Sequence, residues 1–153
     1  MHKFQKSKTI PYPALLIKNV IMDIEKYPEF LPWCSQAIIL EQNHDFIIAQ
    51  LNIKFQNFEE SYISKTTIEE TSDSTIKIET RSISGPFQNL LSIWELKSLD
   101  KLTKVNFSID FCFKSQILNV VIGTIFHAAS KKMIASFENR VKKLHNVTFP
   151  PTG

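Results

Sequence analysis

A chain of 153 residues with a net charge of +3 has the size of one domain, and we expect residues 1–153 to fold around a single core. The charge is too small to indicate nucleic-acid binding, and DNA is not an expected partner. Two cysteines without CxxC or CxxH spacing argue against a disulfide framework and predict no metal site. No apolar run approaches the roughly 20 residues that span a bilayer, and the amino terminus lacks a signal-peptide pattern. We therefore expect a cytoplasmic protein, with any membrane contact peripheral to the inner membrane.

The first predicted elements are a strand and a helix. Alternating polar and apolar residues predict a strand over 2–10, which the prolines of "PYP" at 11–13 end. Apolar residues at helical spacing then predict a helix of about three turns from Ala14 to Ile24. Pro28 and Pro32 prevent its continuation, so the apolar segment "EKYPEFLPWC" at 25–34 is predicted to be a short turn or a single helical turn that leads into the sheet.

Six strand-like segments follow between residues 35 and 113. They are separated by short breaks at 43–45, 56–57, 72–73, 85–88 and 99–101. Short breaks predict antiparallel neighbours, because a parallel return needs a dozen or more residues. In the last segment, apolar residues from Val105 to Phe113 alternate with polar ones, which predicts one covered and one solvated face of the sheet.

A long final helix is predicted over 116–145, where Gly123 is the one glycine or proline. At 1.5 Å per residue it would be roughly 45 Å long and would cross the whole sheet. Its first third, "ILNVVIGTIF", is apolar nearly all round, so we expect that end to be enclosed by more than the sheet. The residues "TFPPTG" at 148–153 are predicted to be a tail. The predicted fold is α+β, with a curved antiparallel sheet wrapped around a long C-terminal helix.

The sequence contains no recognisable catalytic constellation. Its carboxylates fall mainly at outward or strand-end positions, its four histidines lack metal-ligand spacing, and no phosphate-binding glycine motif is present. Cys34 is either an inert buried cysteine or a reactive thiol. We expect no enzymatic activity and no required cofactor.

Five basic residues lie in the final helix between 131 and 143, against Glu138 as the single acid. They are Lys131, Lys132, Arg140, Lys142 and Lys143. This predicted surface patch either meets anionic lipid head groups or an RNA backbone, or is an ordinary solvated helix face.

Three stretches together resemble a known family. They are "VIMDIEKYPEFLPWC" at 20–34, "GPFQNLLSIWEL" at 85–96 and "MIASFENRV" at 133–141, within a resemblance that covers nearly the whole chain. This pattern is similar to the coenzyme Q-binding proteins of the START-like, polyketide cyclase-like superfamily. The resemblance implies a helix-grip fold with a deep cavity beneath the last helix. The first motif matches at Tyr27, Pro28, Phe30, Leu31, Pro32, Trp33 and Cys34, the second at Gly85, Pro86, Phe87, Leu90 and Trp94, and the third at Phe137 and Arg140.

The resemblance implies two alternative functions, which these motifs do not separate. The mitochondrial relatives bind ubiquinone and support respiration without catalysis. The bacterial branch includes ribosome-association toxins of a type II toxin-antitoxin module, which bind the large ribosomal subunit and block subunit joining. The lack of a presequence is typical of the bacterial members. We expect first a non-catalytic carrier of ubiquinone or a similar polyprenyl lipid that supports respiratory electron transport or quinone delivery, with the toxin as the alternative and a polyketide-modifying enzyme third.

Aromatic and aliphatic side chains are predicted to converge between the sheet and the final helix, where they either line a ligand cavity or simply pack the core. The segment 25–34 is predicted to form a lid at the cavity mouth or, alternatively, a plug at one end of the core. The candidate ligand-binding residues are Phe30, Leu31, Trp33, Phe87, Leu90, Trp94, Phe107, Phe111, Phe113, Phe126, Met133 and Phe137.

Overall fold

One antiparallel sheet contains all seven strands of the computed structural model, which describes residues 2–71 and 73–149. The strands are β1 (His2–Ile10), β2 (Cys34–Gln42), β3 (Phe46–Phe55), β4 (Phe58–Glu70), β5 (Thr75–Ser84), β6 (Phe87–Leu99) and β7 (Leu102–Phe113). Their order across the sheet is β1-β7-β6-β5-β4-β3-β2. Helix α1 (Ala14–Met22) and a 3-10 helix (Ile24–Glu29) connect β1 to β2, and helices α2 (Gln116–Gly123) and α3 (Phe126–Thr148) follow β7.

The covered face of the sheet follows the alternation predicted for β7. The buried residues of β7 include Val105, Phe107, Phe111 and Phe113. Lys104, which lies between Thr103 and Val105, is exposed. Helix α3 lies over this face, where the ring centroid of Phe137 is 5.1 Å from that of Trp94. The predicted α+β helix-grip fold is therefore confirmed.

The final helix is broken, so the prediction of one continuous rod was wrong. Helix α2 ends at Gly123, and α3 begins at Phe126 after a bend of 70°. A Cβ atom at Gly123 would lie 3.3 Å from Cε1 of His2, so glycine allows β1 to approach the bend. The Thr124 hydroxyl donates to the carbonyl of Val121 at 2.8 Å, which satisfies one of the open carbonyls at the end of α2.

The apolar surface of α2 is largely exposed, although the sequence predicted that this end of the helix is enclosed. Ile117, Val120 and Val121 are 76%, 72% and 47% exposed, because α2 packs on the protein through one side only. No single helix among residues 2–71 and 73–149 is long and apolar enough to cross a membrane, and α2 with α3 meets that test only as a bent pair. Helix α3 runs to Thr148, three residues further than predicted. Of the predicted tail, residues 150–153 lie outside the described residues, as does Ser72 of the break at 72–73.

The segment between α1 and β2 is a 3-10 helix of six residues followed by a turn. This helix has about two turns and contains Pro28, so it is longer than the short turn or single helical turn that was predicted. The hydroxyl of Tyr27 donates to the carbonyl of Ile21, and the amide of Leu31 donates to the carbonyl of Tyr27 at 2.8 Å. The carbonyl of Trp33 accepts a hydrogen bond from the amide of Lys54 at 2.8 Å. These bonds hold the segment against α1 and β3, so its apolar side chains have fixed positions at the end of the sheet.

Gly85 sets the turn between β5 and β6. Its φ angle of +131° is one that side chains of L residues rarely adopt. A Cβ atom there would lie 2.6 Å from Cβ of Tyr62, which is closer than atoms can approach. Glycine therefore lets the turn lie directly on β4 and brings the ring of Phe87 to 5.2 Å from the ring of Tyr62.

Candidate functional site

A cavity of about 220 Å³ lies between the concave face of the sheet and helix α3, and it is partly open to solvent. For scale, an engineered apolar cavity of about 150 Å³ holds a benzene molecule. Eleven of the twelve predicted ligand-binding residues line it: Leu31, Trp33, Phe87, Leu90, Trp94, Phe107, Phe111, Phe113, Phe126, Met133 and Phe137. The structure thus brings together residues that lie more than 100 positions apart in sequence. Whether they bind a ligand stays a prediction.

Aromatic rings form two groups on the cavity wall. In the first, Phe87 stacks on Phe113 with centroids 4.9 Å apart, and Phe111 contacts Phe126 edge to face at 5.0 Å. In the second, Trp94 lies 4.5 Å from Phe107 and 5.1 Å from Phe137. Aromatic pairs at these distances are worth about 0.5–1.5 kcal/mol beyond their burial. The rings hold one another in place, so the wall has a defined shape.

Phe30 is the predicted residue that does not line the cavity. Its ring packs on the outer side of the wall, 5.8 Å from Tyr27 and 5.3 Å from Phe137. The guanidinium carbon of Arg140 lies 5.3 Å from the centroid of the same ring. Phe30 therefore joins the 3-10 helix to α3 instead of contacting the cavity.

Most of the small polar side chains on the cavity wall are hydroxyls, a feature that the sequence did not reveal. Ser64, Thr66, Thr80, Ser92 and Ser130 line the cavity, and Asn52 adds an amide. Thr66 pairs with Thr80 across β4 and β5, and Thr80 pairs with Ser92 across β5 and β6. The hydroxyl oxygens of Thr66 and Thr80 lie 2.8 Å apart. Together Thr66, Thr80 and Ser92 form a row across three neighbouring strands, which we call the hydroxyl row.

The ionisable groups of the cavity lining are all acids that stay neutral near pH 7. Among the described lining residues there is no Asp, Glu, Lys, Arg or His. Burial raises the pKa of Cys34 to about 11, although its hydrogen bond to the Gln36 carbonyl acts in the opposite direction. Burial likewise raises the pKa values of Tyr27 and Tyr62 above their usual range, with a smaller contribution from neighbouring ionisable groups. The cavity therefore presents no formal charge to a ligand.

Four of the five predicted basic-patch residues form an exposed face of α3. Lys131 and Lys132 are separated from Lys142 and Lys143 by 11 residues, or three helical turns and roughly 16 Å. All four are exposed. We call these four residues the lysine face. Helix α3 has one acidic residue, Glu138, which is engaged by Lys8 at 2.6 Å.

Arg140 lies apart from the lysine face. Its side chain is 13% exposed, and its guanidinium donates to a carboxylate oxygen of Glu29 at 3.1 Å. Together with the contact to Phe30, this pairing makes Arg140 part of the packing between α3 and the 3-10 helix. Phe137 and Arg140 of the third motif thus act on the inner and outer sides of the cavity wall.

Metal binding finds no support in the part of the chain that the structure describes. No group of three or more His, Cys, Asp or Glu side chains there is arranged to hold a metal ion. His127 packs against Phe4, with ring centroids 5.4 Å apart.

Comparisons with known proteins identify the family of this chain. Residues 10–138 match the family described as polyketide cyclase/dehydrase and lipid transport. The ribosome association toxin RatA of Rickettsia prowazekii is 37% identical over 144 residues, which cover 94% of this chain and 99% of that protein. A mitochondrial coenzyme Q-binding protein of Dictyostelium discoideum is 28% identical over 146 residues, 92% of this chain and 69% of that protein.

The fold itself is shared with solved structures. A STAR-related lipid transfer protein fragment from Xanthomonas axonopodis superimposes with a TM-score of 0.82 at 10% identity, covering 92% of this chain and 85% of that one. At this identity the likeness concerns the fold alone. The resemblance found in the three sequence motifs is confirmed: the chain belongs to the polyketide cyclase/dehydrase and lipid transport family of START-like proteins, together with the RatA toxins and the coenzyme Q-binding proteins.

Proposed function

We propose that this protein is a ribosome-association toxin that binds the large ribosomal subunit through the lysine face of α3 and blocks subunit joining. The observation that carries the proposal is the lysine face itself, four exposed lysines on a helix whose one acidic residue, Glu138, is already paired with Lys8. The similarity to RatA over 94% of the chain supports this function better than the quinone delivery that we expected first. In this function the protein acts by binding and needs neither catalysis nor a cofactor.

Phosphate groups of ribosomal RNA are the partner chemistry that suits the lysine face. Lys131 and Lys142 are 11 positions apart, about three whole helical turns, so they lie on the same side of α3, and Lys132 and Lys143 form a second such pair beside them. Neutralising phosphates releases counterions, so the logarithm of affinity falls by about 0.7–0.9 per contact for each tenfold rise in salt. With about four contacts, a fourfold rise in salt lowers the affinity roughly a hundredfold.

Cosedimentation with purified large subunits at about 50 and about 200 mM salt tests this function. The quadruple glutamine variant of Lys131, Lys132, Lys142 and Lys143 should bind at least tenfold more weakly and with a smaller salt slope. The matched control replaces Lys54, Lys97, Lys101 and Lys104, which are exposed on the sheet and its turns, and it changes the net charge by the same amount. Equal losses in both variants would show that net charge alone matters, and unchanged binding of the first would contradict the proposal.

A second function is favoured by the cavity. We propose that it holds a hydrophobic ligand, with ubiquinone or a similar lipid as the candidate, because about 220 Å³ of space lies between largely apolar walls without formal charge. Organic extraction of the purified protein followed by mass spectrometry tests this function. An isoprenoid or acyl lipid should copurify, and the absence of any such lipid together with failure to bind added quinone would contradict it.

Peripheral membrane contact and a cytoplasmic location stay predictions. Exposed apolar side chains suited to membrane contact lie on α2, and they are Ile117, Val120 and Val121.

A further inference from the structure

We infer that the cavity selects uncharged amphiphiles that carry a carbonyl or hydroxyl head group, and that the hydroxyl row binds this head group. The inference rests on the second function proposed above, the holding of a hydrophobic ligand, and it defines the class of that ligand. It is independent of ribosome binding, because none of the four lysines of the lysine face lines the cavity.

The hydroxyl row is a polar band that has apolar residues on one side and Ser64, two positions before Thr66 on β4, on the other. On one side of it, the next row of paired residues across the same strands is Ile68, Ile78, Trp94 and Phe107. At its two ends, Thr66 pairs with Ile47 of β3 and Ser92 pairs with Ile109 of β7. A ligand that crosses this wall therefore meets hydrogen-bonding side chains at the level of the hydroxyl row and Ser64, and apolar side chains at the level of Trp94 and Phe107.

The hydroxyl row has hydrogen-bonding capacity beyond its internal bond. Each hydroxyl has one hydrogen to donate and two lone pairs to accept with. In the bond between Thr66 and Thr80 one hydrogen is used, so the second hydroxyl still has a hydrogen to donate. Ser92 is paired with Thr80 across the strands and adds another hydroxyl on the cavity wall. A carbonyl oxygen or a hydroxyl group of a ligand fits such a set, because it accepts from these groups without bringing a charge.

The lack of a basic side chain in the cavity lining disfavours a fatty acid or a phosphate head group inside the cavity. Moving an ionised carboxylate into an apolar site without a partner is very costly. The described lining residues include no Lys, Arg or His to pair with it. Tyr27, Tyr62 and Cys34 stay protonated near neutral pH and offer dipoles only. An anionic lipid is therefore expected to bind much more weakly than a ketone or an alcohol of the same length.

The size of the cavity limits what is enclosed. About 220 Å³ accommodates a substituted ring or a short chain, and a long polyprenyl tail would have to leave through the open part of the cavity. A head-group site at the hydroxyl row fits this limit, because the head is the part of the ligand that needs specific contacts.

Three ligands of equal chain length separate the contributions of the carbonyl head group, the apolar chain and the negative charge. They are octan-2-one, octane and octanoate. Their Kd values are measured by calorimetry or by protein NMR at pH 7.5, where the carboxyl group of octanoate is ionised. The wild-type protein should bind octan-2-one at least tenfold more tightly than octanoate. The variant Thr66→Val with Thr80→Val keeps the shape of both side chains, and it should weaken octan-2-one binding about fivefold, the value of one net hydrogen bond, without weakening octane binding.

Thr103→Val is the matched control. Thr103 is fully buried, donates its hydroxyl to the carbonyl of Tyr12 at 2.7 Å, and does not line the cavity. Removing this hydroxyl should leave the Kd values of octan-2-one, octane and octanoate unchanged. The inference is overturned if octanoate binds as tightly as octan-2-one, or if the double valine variant binds octan-2-one as well as the wild type. Binding of octane without any preference for the ketone would leave the cavity function standing and remove the head-group site alone, whereas no binding of any ligand would remove both.

Discussion

The guanidinium group of Arg140 is stacked on the ring of Phe30, 5.3 Å from its centroid, and also donates to Glu29 at 3.1 Å. One side chain of α3 thus holds two neighbouring residues of the segment that precedes β2. Because Phe30 contacts Phe137 and Phe137 lines the cavity, this cluster supports the cavity wall from outside. An arginine that looked like part of a surface patch in the sequence is therefore a structural residue.

Replacing Arg140 by Gln should lower the free energy of unfolding by about 1 kcal/mol, since an ion pair with a half-exposed Glu29 and a cation–π contact each contribute modestly. Arg140→Lys should recover only part of this loss, because an ammonium group lacks the planar surface that stacks on Phe30. Urea unfolding measures both variants, with Lys143→Gln on the exposed side of α3 as the control. If Arg140→Gln and Lys143→Gln have the same effect, the packing role assigned to Arg140 is wrong.

Cys34 should react slowly with thiol reagents near neutral pH. Burial raises its pKa from 9.0 to about 11, so the reactive thiolate is scarce at pH 7.5. In a Cys112→Ser background, we expect the reaction of the native protein with a disulfide reagent to be far slower than that of the urea-unfolded protein. A native rate equal to the unfolded rate at pH 7.5 would instead identify Cys34 as a reactive thiol.

The same pKa shift has a consequence for stability. A thiol whose pKa is higher in the folded state than in the unfolded state contributes to the free energy of unfolding at pH values where it is protonated in both states. Its contribution is therefore fully present below about pH 9 and is lost as the pH rises toward 11. Unfolding measured between pH 8 and 11 should show a smaller decrease in stability for Cys34→Ala than for the wild type.

Gly85→Ala should destabilise the protein by at least about 2 kcal/mol. The substitution places a Cβ atom 2.6 Å from Cβ of Tyr62 and requires alanine to adopt a φ angle of +131°. Gly123→Ala is the comparison, because its Cβ would lie 3.3 Å from a side-chain atom of His2, a much smaller overlap, and alanine favours the helix. Thermal or urea unfolding should show a much larger loss for the first variant. Similar losses would mean that the turn at Gly85 adapts more easily than its geometry indicates.

Most of the sheet could be predicted from the sequence, whereas the site's polar part could not. The alternation in β7 marks its buried face because period-two patterning needs no knowledge of the partner strands. The hydroxyl row depends on register: Thr66, Thr80 and Ser92 lie on three strands, and a shift of one residue would turn a strand's side chains to the other face. The sequence did not predict the break after Gly123, because a single glycine destabilises a helix by only about 1 kcal/mol relative to alanine and does not by itself end it. The role of Arg140 depends on the distance between α3 and Phe30, which local sequence does not contain.

Trp33→Ala decides between a lid and a plug for the segment 25–34. Trp33 is half-buried on the cavity wall, and its backbone carbonyl is fixed by the amide of Lys54, so the substitution should leave the backbone in place. If the segment is a lid, the variant should lose binding of octan-2-one and retention of copurified lipid, while the free energy of unfolding falls by less than the 3–5 kcal/mol typical of a fully buried tryptophan. Val141→Ala is the control, because Val141 is 1% exposed and lies outside the cavity lining. It should lower stability by about 2 kcal/mol without changing ligand binding. Should Trp33→Ala lose stability like a core residue and keep the ligand affinity of Val141→Ala, the segment is a plug, since its tryptophan would then contribute to packing alone.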